Sequence, residues 1–212
     1  CEEAMARRAD GTPRAGGRVV TFSADGTVGA LEGMMAGKPA EFAAADTAAD
    51  DVALVAFTSG TTGEGKGTMH FHRDVLAVCD CFPRHVLRPR ADDVLVGTPP
   101  LAFTFGLGGL VLFPARVGAS TALVEQRSPA NLLQAIEDFR ATITFTAPTA
   151  YRAMAAMLAG RDLSTLRASV SAGEALPRAT FEAWERATGI RIIDGIGATE
   201  MLHIFISAAG DD

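Results

Sequence analysis

"AFTSGTTGEGKGTMHF", Ala56 to Phe71, decides how this chain is read. An apolar run from Val52 enters a loop that carries Gly60, Gly63, Gly65 and Gly67, the hydroxyls of Thr58, Ser59, Thr61 and Thr62, and one cation, Lys66. Free backbone N–H groups, hydroxyl donors and a mobile ammonium together suit phosphate oxygens. An ordinary glycine-rich turn accounts for the glycines alone. Gly60-x-x-x-x-Gly65-Lys66 also meets most of the P-loop pattern, but Gly67 stands where that loop needs Ser or Thr to hold magnesium. A P-loop leads straight into a helix. Gly67 to Phe71 starts none before about His72, so that reading requires a helix at Lys66 that the sequence does not offer.

Outward from the loop the pattern alternates. β-Branched apolar runs at Arg18–Phe22, Val52–Thr58, Val94–Thr98, Ser120–Val124, Thr142–Thr146, Leu166–Ser171 and Arg191–Ile193 read as strands, several apolar on both faces. Between them, Ser128-Pro129 opens a helix over "ANLLQAIEDFR". Pro148 opens one over "TAYRAMAAMLAG" that ends at Gly160, and Pro177 opens one over "RATFEAWERATG" that ends at Gly189. "VGALEGMMAG" reads as a short helix and "EFAAADTAADD" as a surface connection. Strand and helix in repeated order predict an α/β fold with a largely parallel sheet flanked by helices.

Composition narrows the function classes. With 212 residues and 48% hydrophobic content, the chain can bury one substantial core. A net charge of −6 gives no chain-wide footprint for nucleic acid. Cys1, Cys79 and Cys81 fit neither a disulfide framework nor zinc spacing, so reduced thiols are expected. The absence of a long apolar run or a leader pattern in "CEEAMARRADG" predicts a soluble cytoplasmic protein with no membrane partner. The start without methionine is read as the interior of a longer chain.

"TSGTTGEGKG", Thr58 to Gly67, resembles the phosphate-binding signature of the adenylate-forming enzymes, which comprise acyl- and aryl-CoA ligases, luciferases and peptide-synthetase adenylation domains. That signature has proline where this chain has Gly65. Three further segments follow in the family's order. "PPLAFTFGLGG", Pro99 to Gly109, is similar to the segment whose aromatic residue before a glycine lines the acyl pocket, a place taken by Phe105 with Phe103 as support. "SAGEALP", Ser171 to Pro177, is similar to the turn on which adenine stacks, through Gly173, Glu174 and Ala175. "DGIGATE", Asp194 to Glu200, resembles the Y-G-x-T-E segment, with Ile196 in the tyrosine's place. The run on to "MLHIFISA" resembles the benzoate-CoA and 2-aminobenzoate-CoA ligase branch and brings His203 toward the aryl site.

The resemblance implies ATP, Mg2+ and coenzyme A as cofactor and cosubstrates and a small aromatic acid as substrate. It gives Thr58, Ser59, Gly60, Thr61, Thr62, Gly63 and Lys66 to the β,γ-phosphates, and Gly173, Glu174, Ala175, Asp194, Gly195 and Ile196 to the nucleotide. Thr199 goes to the α-phosphate, Glu200 to magnesium, and Phe103, Phe105, Ala198 and His203 to the acyl pocket. Lys66, Thr199 and Glu200 are the catalytic set. It also implies that residues 51–210 are the core of a partial N-terminal domain, that 1–50 match loosely, and that a lysine-bearing C-terminal domain lies beyond this sequence. Lys38 and Lys66 are the only lysines here, so the isolated chain is expected to have little ligase activity. A sheet cut at its edges is expected to self-associate. Two other classes stay open at this stage, a P-loop NTPase or phosphotransferase and a non-catalytic scaffold that keeps the nucleotide fold.

Overall fold

The computed structural model describes residues 30–58 and 66–208. The strand expected at Arg18–Phe22 and the loop residues Ser59, Gly60, Thr61, Thr62 and Gly63 lie outside them. The chain divides into two units, Cys1–Asp46 and Thr47–Asp212. In the first, α1 (Ala30–Met35) forms where a short helix was expected and buries none of its residues.

The second unit holds two sheets. β1 (Val52–Phe57) and β2 (Gly67–Phe71) pair antiparallel, with Phe57 opposite Gly67 and Leu54 opposite His70. The larger sheet has six strands: β3 (Val94–Gly97), β4 (Ser120–Leu123), β5 (Ile143–Thr146), β6 (Ala168–Ser171), β7 (Ile192–Gly197) and β8 (Ile204–Ser207). Their order is β4-β3-β5-β6-β7-β8, parallel from β4 to β7, with β8 antiparallel at the edge. The order reverses at β3, which has β4 on one side and β5 on the other. Such a reversal opens a crevice beyond the carboxyl ends of the strands, the usual ligand position in open α/β sheets.

Both faces of the sheet are covered, which explains the continuous apolar runs. One face packs Leu95, Ile143, Phe145 and Val170 against Val78, Phe82 and Phe113. These come from α2 (His72–Asp80), from Phe82 at the start of its π-helical extension Pro83–Leu87, and from the helical stretch α3 (Thr104–Leu107), π segment (Gly108–Leu112) and α4 (Phe113–Val117). The other face packs Val96 and Ile192 against Leu132, Leu133, Ile136, Tyr151, Met154 and Trp184. Those belong to α5 (Pro129–Asp138), α6 (Pro148–Ala155) and α7 (Arg178–Thr188). Ser128 caps α5 by accepting from Asn131 N at 3.1 Å, as its position before Pro129 implied. At the amino end of β3 the buried Asp93 accepts from Arg167 Nε at 2.9 Å, from Thr142 Oγ1 at 2.8 Å and from Arg90 N at 2.7 Å. Burial alone would raise its carboxyl, but these donors hold it down at about 2.

Several expectations need correction. The helix expected to run to Gly160 stops at Ala155, and Gly160 sits at φ +78 in a later turn. β7 runs on through "DGIG" to Gly197, and "MLHIFISA" contributes the antiparallel edge strand β8. The chain after Lys66 is a strand; a P-loop requires a helix there, so that alternative loses its structural condition. Among the described residues, no helix is long and apolar enough to cross a membrane.

Candidate active site

Three cavities surround the Thr199–Glu200 turn and the strand β7 that leads to it. The one beyond the carboxyl ends of β3, β6 and β7 has a volume of about 360 Å³. Phe103, Phe105, Gly173, Ala198, Thr199 and His203 line it, so the structure gathers residues expected from three separate motifs around one space. Sequence reasoning missed Pro99, Pro100 and Thr104, which line it too. Their signal was available: Pro99-Pro100 follows directly on a strand end at the sheet's reversal.

The aromatic end of this cavity is built around His203, which is 1% exposed. Its ring lies 4.5 Å from Phe113 edge-on, 5.4 Å from Phe105 and 5.8 Å from Phe82, centroid to centroid. Phe105 in turn meets Phe145 edge-on at 5.8 Å. Phe82 stacks on the imidazole, whereas the other pairs are tilted or edge-on, a favoured aromatic geometry. His203 Nε2 lies 3.2 Å from the carbonyl oxygen of Phe105. A carbonyl only accepts, so Nε2 carries the proton. Burial drives the imidazole down to about 4, with the bond to Phe105 opposing part of that shift, so the ring is neutral at pH 7. Its Nδ1 is buried without a hydrogen-bond partner.

One glycine of "FTFGLGG", Gly108, is required by the imidazole itself. A Cβ there would stand 2.4 Å from His203 Cδ2, closer than side chains pack, so only glycine lets the π segment lie against the imidazole. Gly173 serves differently. It holds φ +88 just after β6, and nothing stands within 4 Å of where its Cβ would be, which leaves an open, flat backbone turn at the cavity rim.

The remaining expected residues are dispersed. Thr58 and Lys66 close the base of the β1–β2 hairpin, where Thr58 N donates to Lys66 O at 3.0 Å, and Lys66 is exposed. Glu174 is exposed and accepts from Thr149 Oγ1 at 3.3 Å; Ala175 beside it is exposed as well. Asp194 lines a separate cavity of about 430 Å³ with Leu176, Phe181 and Arg191. Its Oδ1 is buried without a partner, and burial holds the carboxyl above the ordinary aspartate range. Gly195 is buried against Ile204, whereas Ile196 is 60% exposed at the mouth of β7.

Thr199 and Glu200 share the 3-10 turn Thr199–Met201 but face different spaces. Thr199 borders the 360 Å³ cavity, and Glu200 borders a larger one of about 690 Å³ beside His70 and Asp74. No group of three His, Cys, Asp or Glu side chains that could hold a metal occurs among the described residues. A lone exposed carboxylate still suits Mg2+, which usually takes one or two carboxylates and completes its shell with phosphate oxygens and water.

A family model described as AMP-binding enzyme matches residues 3–212. Benzoate–CoA ligase of Thauera aromatica is 39% identical over 188 residues, covering 85% of this chain and 35% of the relative. Anthranilate–CoA ligase of Pseudomonas aeruginosa is 40% identical over 152 residues, covering 71% of this chain and 29% of the relative. Among solved structures, the anthranilate CoA ligase AuaEII in complex with anthranoyl-AMP matches with a TM-score of 0.83 and 39% identity, covering 91% of this chain and 38% of that one. The chain thus spans about a third of the length of the proteins it matches.

Proposed function

This chain belongs to the AMP-binding enzyme family, and from that premise we propose that the polypeptide carrying it activates an aromatic carboxylate of the benzoate or 2-aminobenzoate type and passes the acyl group to coenzyme A. The observation that carries the reading is the 360 Å³ cavity, whose walls are Phe103, Phe105 and a neutral His203 and whose rim is Thr199. A flat aryl ring packs against aromatic walls, and a neutral imidazole neither repels it nor competes for its carboxylate. Thr199 on the rim would meet a phosphate brought against a carboxylate held in this cavity.

A carboxylate is a poor acylating agent because oxide is a poor leaving group. Attack of a carboxylate oxygen on the α-phosphorus of ATP makes the aryl-adenylate and releases pyrophosphate. The coenzyme A thiol then attacks the acyl carbon, AMP departs with the electron pair, and the thiol proton goes to solvent. In the first step the protein contributes position and charge stabilisation. Thr58, Ser59, Gly60, Thr61, Thr62, Gly63 and Lys66 hold the β,γ-phosphates, and Thr199 donates to the α-phosphate. The turn Gly173–Ala175 and the exposed Ile196 hold the adenosine, whereas Asp194 and Gly195, which the resemblance also gave to the nucleotide, face a separate cavity and Ile204. Glu200 would hold Mg2+, which supplies neutralisation of phosphate charge when bound.

Acid-dependent ATP–pyrophosphate exchange tests this, run with benzoate, 2-aminobenzoate and octanoate. Exchange with the aromatic acids is expected, and Lys66→Ala or Glu200→Gln should lower it by about 10²-fold each. A preference for octanoate would overturn the aryl assignment. Normal exchange in both variants would overturn the phosphate and metal assignments, and binding of adenylate mimics without exchange would favour a scaffold.

A further inference from the structure

His70 belongs to no motif that marked the site, yet it is 4% exposed and its Nε2 lies 2.8 Å from the carbonyl oxygen of Thr199, 129 residues away. A carbonyl accepts, so Nε2–H donates. His70 sits in β2, the return strand of the hairpin whose two strands the glycine-rich segment connects. That hairpin forms its own two-stranded sheet and shares no ladder with the six-stranded one. Its position against the large sheet therefore depends on side-chain contacts such as this one. The acceptor belongs to the peptide group that joins Thr199 to Glu200, and the same carbonyl also receives Leu202 N at 3.2 Å to close the turn. The bond thus ties the strand behind Lys66 to the backbone between Thr199 and Glu200.

We propose that His70 is a positioning residue that fixes the spacing between Lys66 and the Thr199–Glu200 turn; this rests on the reading of Lys66 and that turn as the phosphate and magnesium groups. An imidazole reaches its acceptor through only two rotatable bonds, and its burial leaves it little freedom to swing away. Phosphoryl chemistry is sensitive to such placement, since a misplacement of about 1 Å can cost about 10²-fold in rate. His70 is not among the residues that line the aryl cavity, so its loss should act on ATP and on turnover and spare the acid.

The test is aryl-acid-dependent ATP–pyrophosphate exchange in the full polypeptide that bears this sequence, with wild type, His70→Leu and His70→Gln. His70→Leu keeps apolar bulk and removes the donor. It should lower kcat by about 10- to 100-fold and raise the KM for Mg·ATP, while the KM for benzoate changes less than about twofold. His70→Gln places an amide N–H near the former Nε2 and should recover most of the loss. An active wild type matched by His70→Leu overturns this inference alone. Equal loss in the leucine and glutamine variants, with both KM values moved together, also overturns it, because that is the mark of disturbed packing. A wild type silent with every aromatic acid overturns the functional reading and this inference with it.

Discussion

The two faces of the large sheet bury aromatic clusters of opposite character. On the α5–α7 face, Tyr151 and Trp184 meet edge-on at 5.0 Å, and each polar atom is satisfied: Tyr151 donates to Val170 O at 3.0 Å and Trp184 Nε1 to Ser169 Oγ at 3.1 Å. On the other face, His203 sits among four phenylalanines with Nδ1 unpaired and one side of its surroundings open to a cavity. A satisfied buried polar group stabilises a fold, whereas an unsatisfied one costs stability and persists where another demand requires it. On this contrast we propose that the first cluster serves structure and the second ligand binding.

The largest break in this contrast should come from Trp184→Ala. It empties a fully buried site and should cost about 3–5 kcal/mol, read as a shift in urea midpoint, while any aryl-adenylate binding that survives keeps its selectivity. Acid should act next on the His203 cluster. His203 has a folded value of about 4 against its ordinary 6.5, so between those pH values the unfolded chain binds the proton first. Its contribution is intact above pH 6.5 and is lost as pH falls toward 4, by at most about 3 kcal/mol. Asp93 loses its contribution lower, as pH falls from the ordinary carboxylate range through about 2. Urea unfolding of His203→Phe at several pH values should therefore flatten the upper window and leave the lower one; a change in the lower window alone would contradict the assignment.

Gly108→Ala sharpens the comparison from the ligand side. Its Cβ has no room beside the imidazole, so a loss of about 1–3 kcal/mol is expected from strain, with weakened binding of a benzoyl-adenylate mimic measured by calorimetry. Unchanged affinity would remove His203 from the pocket. Tyr151→Phe should give the smallest effect, about 0.5–1.5 kcal/mol of stability and no change in that affinity.

Much of this architecture was legible along the chain. Residues buried on both faces of a parallel strand write a continuous apolar run, and helix starts carry local caps, so β3 to β7 and α5 to α7 could be located by reading Ser128-Pro129, Pro148 and Pro177 against their neighbours. The candidate site segments were marked by resemblance alone: taken by themselves, "SAGEALP" is an ordinary strand-to-helix turn and Glu200 an ordinary loop carboxylate. Pairing was not legible. β2 and β8 are short antiparallel strands whose partners are fixed by a hairpin and a sheet edge, and neither "GTMHF" nor "IFIS" carries a period that excludes other structures. Nor could the sequence state that His203 is neutral, that Gly108 leaves room for it, or that His70 reaches Thr199. Those facts depend on burial and distance between residues far apart in the chain, which exist only once the tertiary structure has brought them together.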